Sequence, residues 1–301
     1  MSPSLALHDP VFRVYIEILF GLLVIAGLIL AMLQFAFRIE LKEVWKTYRG
    51  WLWMGPLAAL MIFAGRGPFI VSVVVLSLLG LREFAAVSGL GRERWMTVII
   101  SLGIAGIGLC AWREDGIVGI VIGTVVLISL VPIACNRGRG GLEQISLALT
   151  GFVFLGIMLG QLGFLTNTDN PYGYLCFLIL ATEVNDVAAF TFGKIFGRHP
   201  LRSAISPRKT WEGSLGAFAF SMLLPWLVRF SFPSFTARDL LLTGLIVGVG
   251  GQIGDLTLSL IKRELGAKDW GRAIPGHGGV LDRIDSLIFV APLFALLAAG
   301  K

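Results

Sequence analysis

Three stretches of the chain carry acidic side chains at helical spacing inside apolar surroundings. In GQIGDLTLSLIKREL, Asp255 is followed by Ser259 and Lys262 at i+4 and i+7, so carboxylate, hydroxyl and ammonium share one helix face. In LDRIDSLIFV, Asp282 and Asp285 stand three apart, and in ATEVNDVAAF so do Glu183 and Asp186, with Asn185 beside them. Ionisable groups at membrane depth cost several kcal/mol unless paired or hydrated, so each needs a reason. Between the first two stretches runs a loop rich in base and glycine: Arg263, Lys268 and Arg272, then His277 among Gly276, Gly278 and Gly279, then Arg283. Aspartates are hard oxygen donors suited to Mg²⁺. Glycines let a backbone come close to a phosphate, and His277 could donate to an oxyanion or move a proton. Acid, base and glycine together suggest metal-assisted phosphoryl or nucleotidyl transfer. Buried ion pairs that merely hold helices together are the structural alternative.

A second basic loop lies upstream, ending in Ser206-Pro207-Arg208-Lys209-Thr210. Pro207 is expected to set a turn there. Thr210 is expected to cap a helix beginning at Trp211, with Glu212 favouring its dipole. Lys209 and that helix N-terminus could also hold a phosphate. His199 reads as a surface residue.

The elements that position these groups follow from composition. The 301 residues are 56% hydrophobic and 15% charged, against roughly 25% charged in soluble chains. Long apolar runs recur from end to end, which indicates an all-α polytopic integral membrane protein. Ten spans are expected, at 12–37, 51–64, 68–88, 95–113, 116–134, 143–165, 172–197, 211–232, 239–265 and 284–300. The count becomes nine if the short second span does not cross. Residues 1–140 form an N-terminal set of helices and 141–301 a C-terminal set carrying the charged clusters, within one membrane domain.

If the spans alternate, nineteen of the 25 Lys and Arg fall on one side. The positive-inside rule then puts that side in the cytoplasm and both termini outside, in a cytoplasmic (inner) membrane. The net charge of +6 reflects a basic face opposite anionic lipid, and no nucleic-acid partner is expected. Cys110, Cys135 and Cys176 are far apart and read as packing residues. By the rise of an α-helix, Asp186 lies about 21 Å from the outer end of its span and Asp255 about 24 Å from Asp239, both toward the cytoplasmic face. In GLIVGVGGQIG, Gly244 and Gly248 form a GxxxG pair, which suits close helix packing or a loosened backbone beside a ligand.

The order Ser259-x-x-Lys262-Arg263, Lys268-Asp269-x-Gly271, Pro275-x-His277-Gly278-Gly279-x-x-Asp282-Arg283-x-Asp285 resembles the signature of the phosphatidate cytidylyltransferase (CDP-diacylglycerol synthase) family. The resemblance extends upstream through SPRKTWEG to Asp186, covering about the C-terminal 120 residues. It implies that CTP and phosphatidic acid, a membrane lipid, give CDP-diacylglycerol and pyrophosphate with Mg²⁺ as cofactor. It also implies Asp255 and Asp282 as the first metal ligands, with Asp285 and Asp186 next. Lys262, Arg263, Lys268, His277, Arg283 and Lys209 would contact phosphates, with Ser206, Ser259 and Asn185 as further substrate contacts. Asp255, Asp282, His277 and Lys262 form the implied catalytic set. The lipid phosphate would be the nucleophile, so the protein's task is positioning and neutralising charge. The chain departs from the family pattern at Val187 and Ala188, where Thr and Gly are common, and at Arg208, where a lysine is usual. These departures bear on substrate identity more than on reaction type. A homodimer is left open.

Two other readings compete. A CTP-dependent lipid kinase would act on an isoprenoid alcohol and need a general base. A transporter of phosphorylated solutes would place its charges near the midplane and show inverted repeats, and none is visible.

Overall fold

An apolar run in lipid must satisfy its backbone hydrogen bonds internally, and it folds as helix. The structure, a computed structural model, describes residues 1–35, 42–136, 140–274 and 278–300. A short helix α1 (Pro3–His8) leads into α2 (Pro10–Phe35), α3 (Lys42–Phe63), α4 (Arg66–Ser88), α5 (Arg94–Arg113) and α6 (Val118–Ala134). Then come α7 (Gly141–Leu165), α8 (Pro171–Phe196), α9 (Trp211–Leu227), α10 (Ala237–Glu264) and α11 (Leu281–Ala298). Helices α2 to α11 follow the ten expected spans in order.

Six of them, α2, α4, α5, α7, α8 and α10, are long and apolar enough to cross a membrane by themselves. The other four fall short for separate reasons. Helices α6 and α9 have 17 residues each, and α11 carries Asp282, Arg283 and Asp285 in its first turns. The start of α3 is polar. The expected second span at 51–64 is the apolar half of this 22-residue helix, whose first turns read KEVWKTYRG.

The chain is all-α as expected, with one small β addition among the described residues. A two-stranded antiparallel hairpin, β1 (Pro200–Arg202) and β2 (Ser206–Thr210), projects between α8 and α9. Pro207 lies inside β2 instead of making a turn, which a two-stranded ribbon tolerates because each strand has a free edge.

Helix association in lipid relies on close packing. Gly244 of α10 abuts the backbone of Ser221 and Met222 on α9, and Gly248 lies against Phe218 and Ser221. Gly248 lies within Ile246–Gly250, a π-helical turn of α10, so the tight packing is accompanied by a locally widened backbone. Tyr174, Phe177, Phe232, Phe235 and Phe294 form an aromatic cluster tying α8, the α9–α10 connection and α11, with the Phe177 and Phe232 rings 4.8 Å apart. This cluster fixes α8 against α11, the helices that carry Asp186 and Asp285.

Candidate active site

Asp186 on α8, Asp255 on α10 and Asp282 and Asp285 on α11 line one cavity of about 640 Å³, with Lys262 and Arg283. Lys46 of α3 joins the wall, as do Asp269, Gly271, Arg272, Ile274 and Gly278 from the loop between α10 and α11. These positions gather at the end of the bundle where α3 and α11 begin and α10 ends. Asp186, Asp255 and Asp285 are near enough to repel one another, while Lys209, Lys262 and Arg283 offset that repulsion.

Two ion pairs order the cavity differently. Asp255 pairs with Lys209, which β2 presents at the mouth of α9, and accepts a hydrogen bond from Ser259 Oγ at 3.1 Å. The side chains of Lys209 and Asp255 keep 26% and 24% exposure, so this pair opens to the cavity. Lys262 Nζ donates to Asp282 Oδ1 at 2.7 Å, and these side chains keep only 10% and 8%. The other oxygen of Asp282 accepts the backbone N–H groups of Trp270 and Gly279, each at 3.0 Å. Asp282 thus pins the loop at Trp270 and Gly279 to the first turn of α11. Gly278 adopts φ +84°, a left-handed conformation that glycine takes without strain, and places the loop against that carboxylate. The ion-pair reading and the shared-cavity reading of the acidic clusters both describe the molecule.

Thr210 caps α9 as expected, its Oγ1 accepting Gly213 N–H at 3.2 Å. Glu212 stands in the first turn as expected and also reaches back to the preceding loop, accepting the N–H groups of Arg198 and His199 and meeting His199 Nδ1 at 2.6 Å. Hairpin, cap and Lys209 therefore form one unit held over Asp255.

Other expected contacts lie elsewhere. Arg263 is exposed and ties the hairpin to the α10–α11 loop, donating to the carbonyls of Ile205 (3.2 Å) and Ala267 (3.1 Å). Lys268 is exposed and outside the cavity wall, and Ser206 sits half-buried in β2. Asn185 is 1% exposed; it accepts from Ser221 Oγ at 3.0 Å and packs by Gly251, so it joins α8, α9 and α10. His277, Pro275 and Gly276 lie outside the described residues.

The donor chemistry fits a hard divalent cation: four carboxylates from three helices line one polar cavity, and a cation would relieve the repulsion among Asp186, Asp255 and Asp285. Among the described residues no three His, Cys, Asp or Glu side chains close into a ligand cluster.

Residues 45–299 match the cytidylyltransferase family. The chain belongs to that family. The match begins within α3 and so takes in most of the N-terminal helices as well as the signature. Among relatives, the "Uncharacterized protein YnbB" of Escherichia coli (strain K12) is 31% identical over 92% of this chain and 94% of its own length. The "Phosphatidate cytidylyltransferase" of Staphylococcus haemolyticus (strain JCSC1435) is 30% identical over 80% of this chain and 95% of its own. The enzyme of the same name from Staphylococcus aureus (strain COL) is 31% identical over 79% and 89%.

In this cytidylyltransferase the structure adds Glu83 and Lys46 to the residues around the signature. Glu83, near the end of α4, accepts the backbone N–H of Val280 at 3.0 Å and of Leu281 at 2.9 Å. A side chain at Gly271 or Gly279 would collide with its carboxylate. Beside it, Phe84 packs on Trp270 with ring centroids 5.5 Å apart. The available signal was an acidic residue at the end of an apolar span. Nothing in local spacing links it to a loop almost two hundred positions later.

Proposed function

We propose that this membrane-embedded cytidylyltransferase transfers the cytidylyl group of CTP to phosphatidate, giving CDP-diacylglycerol and pyrophosphate. The observation that carries the reading is the gathering of Asp186, Asp255, Asp285, Lys262 and Arg283 around one polar cavity of a membrane protein. The printed names of the staphylococcal relatives agree with it.

A non-bridging oxygen of the phosphatidate phosphate attacks the α-phosphorus of CTP. The bond from that phosphorus to the β-phosphate bridge oxygen breaks, and pyrophosphate leaves with the electron pair. The attacking phosphate is already anionic, so no protein nucleophile or proton abstraction is required. What remains is to hold two anions together and offset the charge that builds between them. Lys46, Arg272 and Arg283 supply positive charge along the cavity wall. Lys209, held by Asp255, is positioned to exchange that carboxylate for a phosphate oxygen. Lys262 and Asp282 hold the loop, and His277 keeps its proposed role as a phosphate contact.

Asp186, Asp255 and Asp285 would hold Mg²⁺, with Asp186 in place of the Asp282 expected from the sequence, whose oxygens go to Lys262 and the loop N–H groups; water and phosphate oxygens would complete the ligands. When bound, the ion screens the nucleotide's phosphates and makes the α-phosphorus more electrophilic. The reading further takes all ten helices α2 to α11, the four shorter or more polar ones included, as crossing the cytoplasmic membrane, with the cavity facing the cytoplasm where CTP is found. The test is to incubate purified protein with CTP, Mg²⁺ and phosphatidate and measure CDP-lipid and pyrophosphate in equal amounts. Folded protein that yields neither overturns the reading.

A further inference from the structure

Two helices that line the polar cavity also line a second, apolar one. On α3, Lys46 faces the polar cavity while Tyr48 and Trp51 face the apolar groove. On α8, Asp186 faces the first while Glu183 and Val187 face the second. The groove has a volume of about 380 Å³, within the range of roughly 300–1,000 Å³ typical of ligand sites. It runs between α2, α3 and α8, from Phe12 to Ala26 along α2, a length of about 21 Å at the helical rise. Small residues make the room: Gly55, Ala58 and Ala59 on α3 meet Ala26 on α2.

We propose that this groove binds one acyl chain of the glycerophospholipid acceptor while its phosphate occupies the polar cavity. The inference rests on the cytidylyl-transfer reading for the identity of the phosphate, and on geometry for the rest. An amphipathic ligand needs a polar and an apolar site that adjoin, and here they adjoin on two independent helices within about one helical turn. Glu183 marks the junction, because it lines the groove and its carboxylate feels Asp186 and Arg283 of the polar cavity. An acyl chain left in bulk lipid would give the enzyme no means of reading its length. A recessed groove of fixed extent gives it one, so acceptor use should depend on chain length.

The direct test uses the full chain in nanodiscs with phosphatidate bearing a photoreactive diazirine near the end of one acyl chain, and with phosphatidylcholine bearing the same chain. After irradiation, labelled peptides are mapped by mass spectrometry. The expected result is selective labelling of 51–62 and 176–187 by the phosphatidate probe, removed by excess unlabelled long-chain phosphatidate. Equal labelling of those segments by both probes overturns the proposal. In a second measurement, Ala58→Trp, which plugs the groove, is assayed with long-chain and short-chain phosphatidate. The ratio of the two kcat/KM values should fall about tenfold, equivalent to about 1.4 kcal/mol lost by the long chain alone. An unchanged ratio in a folded variant also overturns it. Selective labelling with no CDP-lipid from any acceptor would sink the reaction and keep the groove; product with unselective labelling would do the reverse.

Discussion

The carboxylate of Glu83, in the N-terminal half of the chain, accepts the backbone N–H of Leu281 at 2.9 Å, in the first turn of the helix bearing Asp282 and Asp285. One acidic side chain thus satisfies donors that a helix N-terminus otherwise leaves open. Glu83→Ala would leave two part-buried N–H groups without partners, at about 1–3 kcal/mol. A fall in kcat/KM of roughly 10- to 100-fold is expected, with a smaller fall for Glu83→Gln, whose single amide oxygen can still accept one of the two N–H groups. Steady-state kinetics on both variants check this. Equal losses in the two would contradict this, since a retained acceptor would then be worth nothing to the loop.

The pair formed by Lys262 and Asp282 is mostly closed to solvent, and breaking one member of such a pair costs roughly 3–5 kcal/mol. Lys262→Met and Asp282→Asn should each lower the thermal midpoint in detergent markedly. The double variant should be more stable than the sum of the two losses predicts, since it leaves no uncompensated charge. Additive losses would show that the two side chains act separately.

Asp255 and Lys209 keep about a quarter of their side-chain surface and face the cavity, so their contribution should fall on turnover instead of folding. Asp255→Asn is expected to abolish detectable activity while the thermal midpoint stays near that of the parent. Near-normal turnover would remove Asp255 from the chemistry.

Much of this arrangement is legible in the sequence. The i+4 relation of Asp255 and Ser259 predicts a shared face, and Ser259 Oγ does meet Asp255. The i+7 relation puts Lys262 on that face too, but its ammonium goes to Asp282, because periodicity within one helix says nothing about a partner on the next. Hydropathy finds the apolar half of α3 and misses its polar start, yet that start carries Lys46 to the cavity. The glycines after position 276 suggest close approach to a phosphate; at Gly279 the group that approaches is Glu83. Asn185, beside two acids, looks like part of their site, and burial between three helices gives it a packing role.

Orientation can be read with single cysteines in a background lacking Cys110, Cys135 and Cys176. Trp270 is buried, so a reporter on the cavity side belongs at exposed Lys268, and one for the opposite end at exposed Asp169. A membrane-impermeant maleimide added to intact cells should label Asp169→Cys and leave Lys268→Cys untouched until the membrane is opened. The reverse pattern would invert the proposed topology.

The central claim is that the α-phosphorus of CTP ends up on the lipid. Parallel reactions with CTP labelled at the α- or the γ-phosphorus, each with phosphatidate and with an isoprenoid alcohol, follow it directly. The account predicts α-label in a lipid product formed from phosphatidate and γ-label in pyrophosphate. Lipid carrying the γ-label would contradict it.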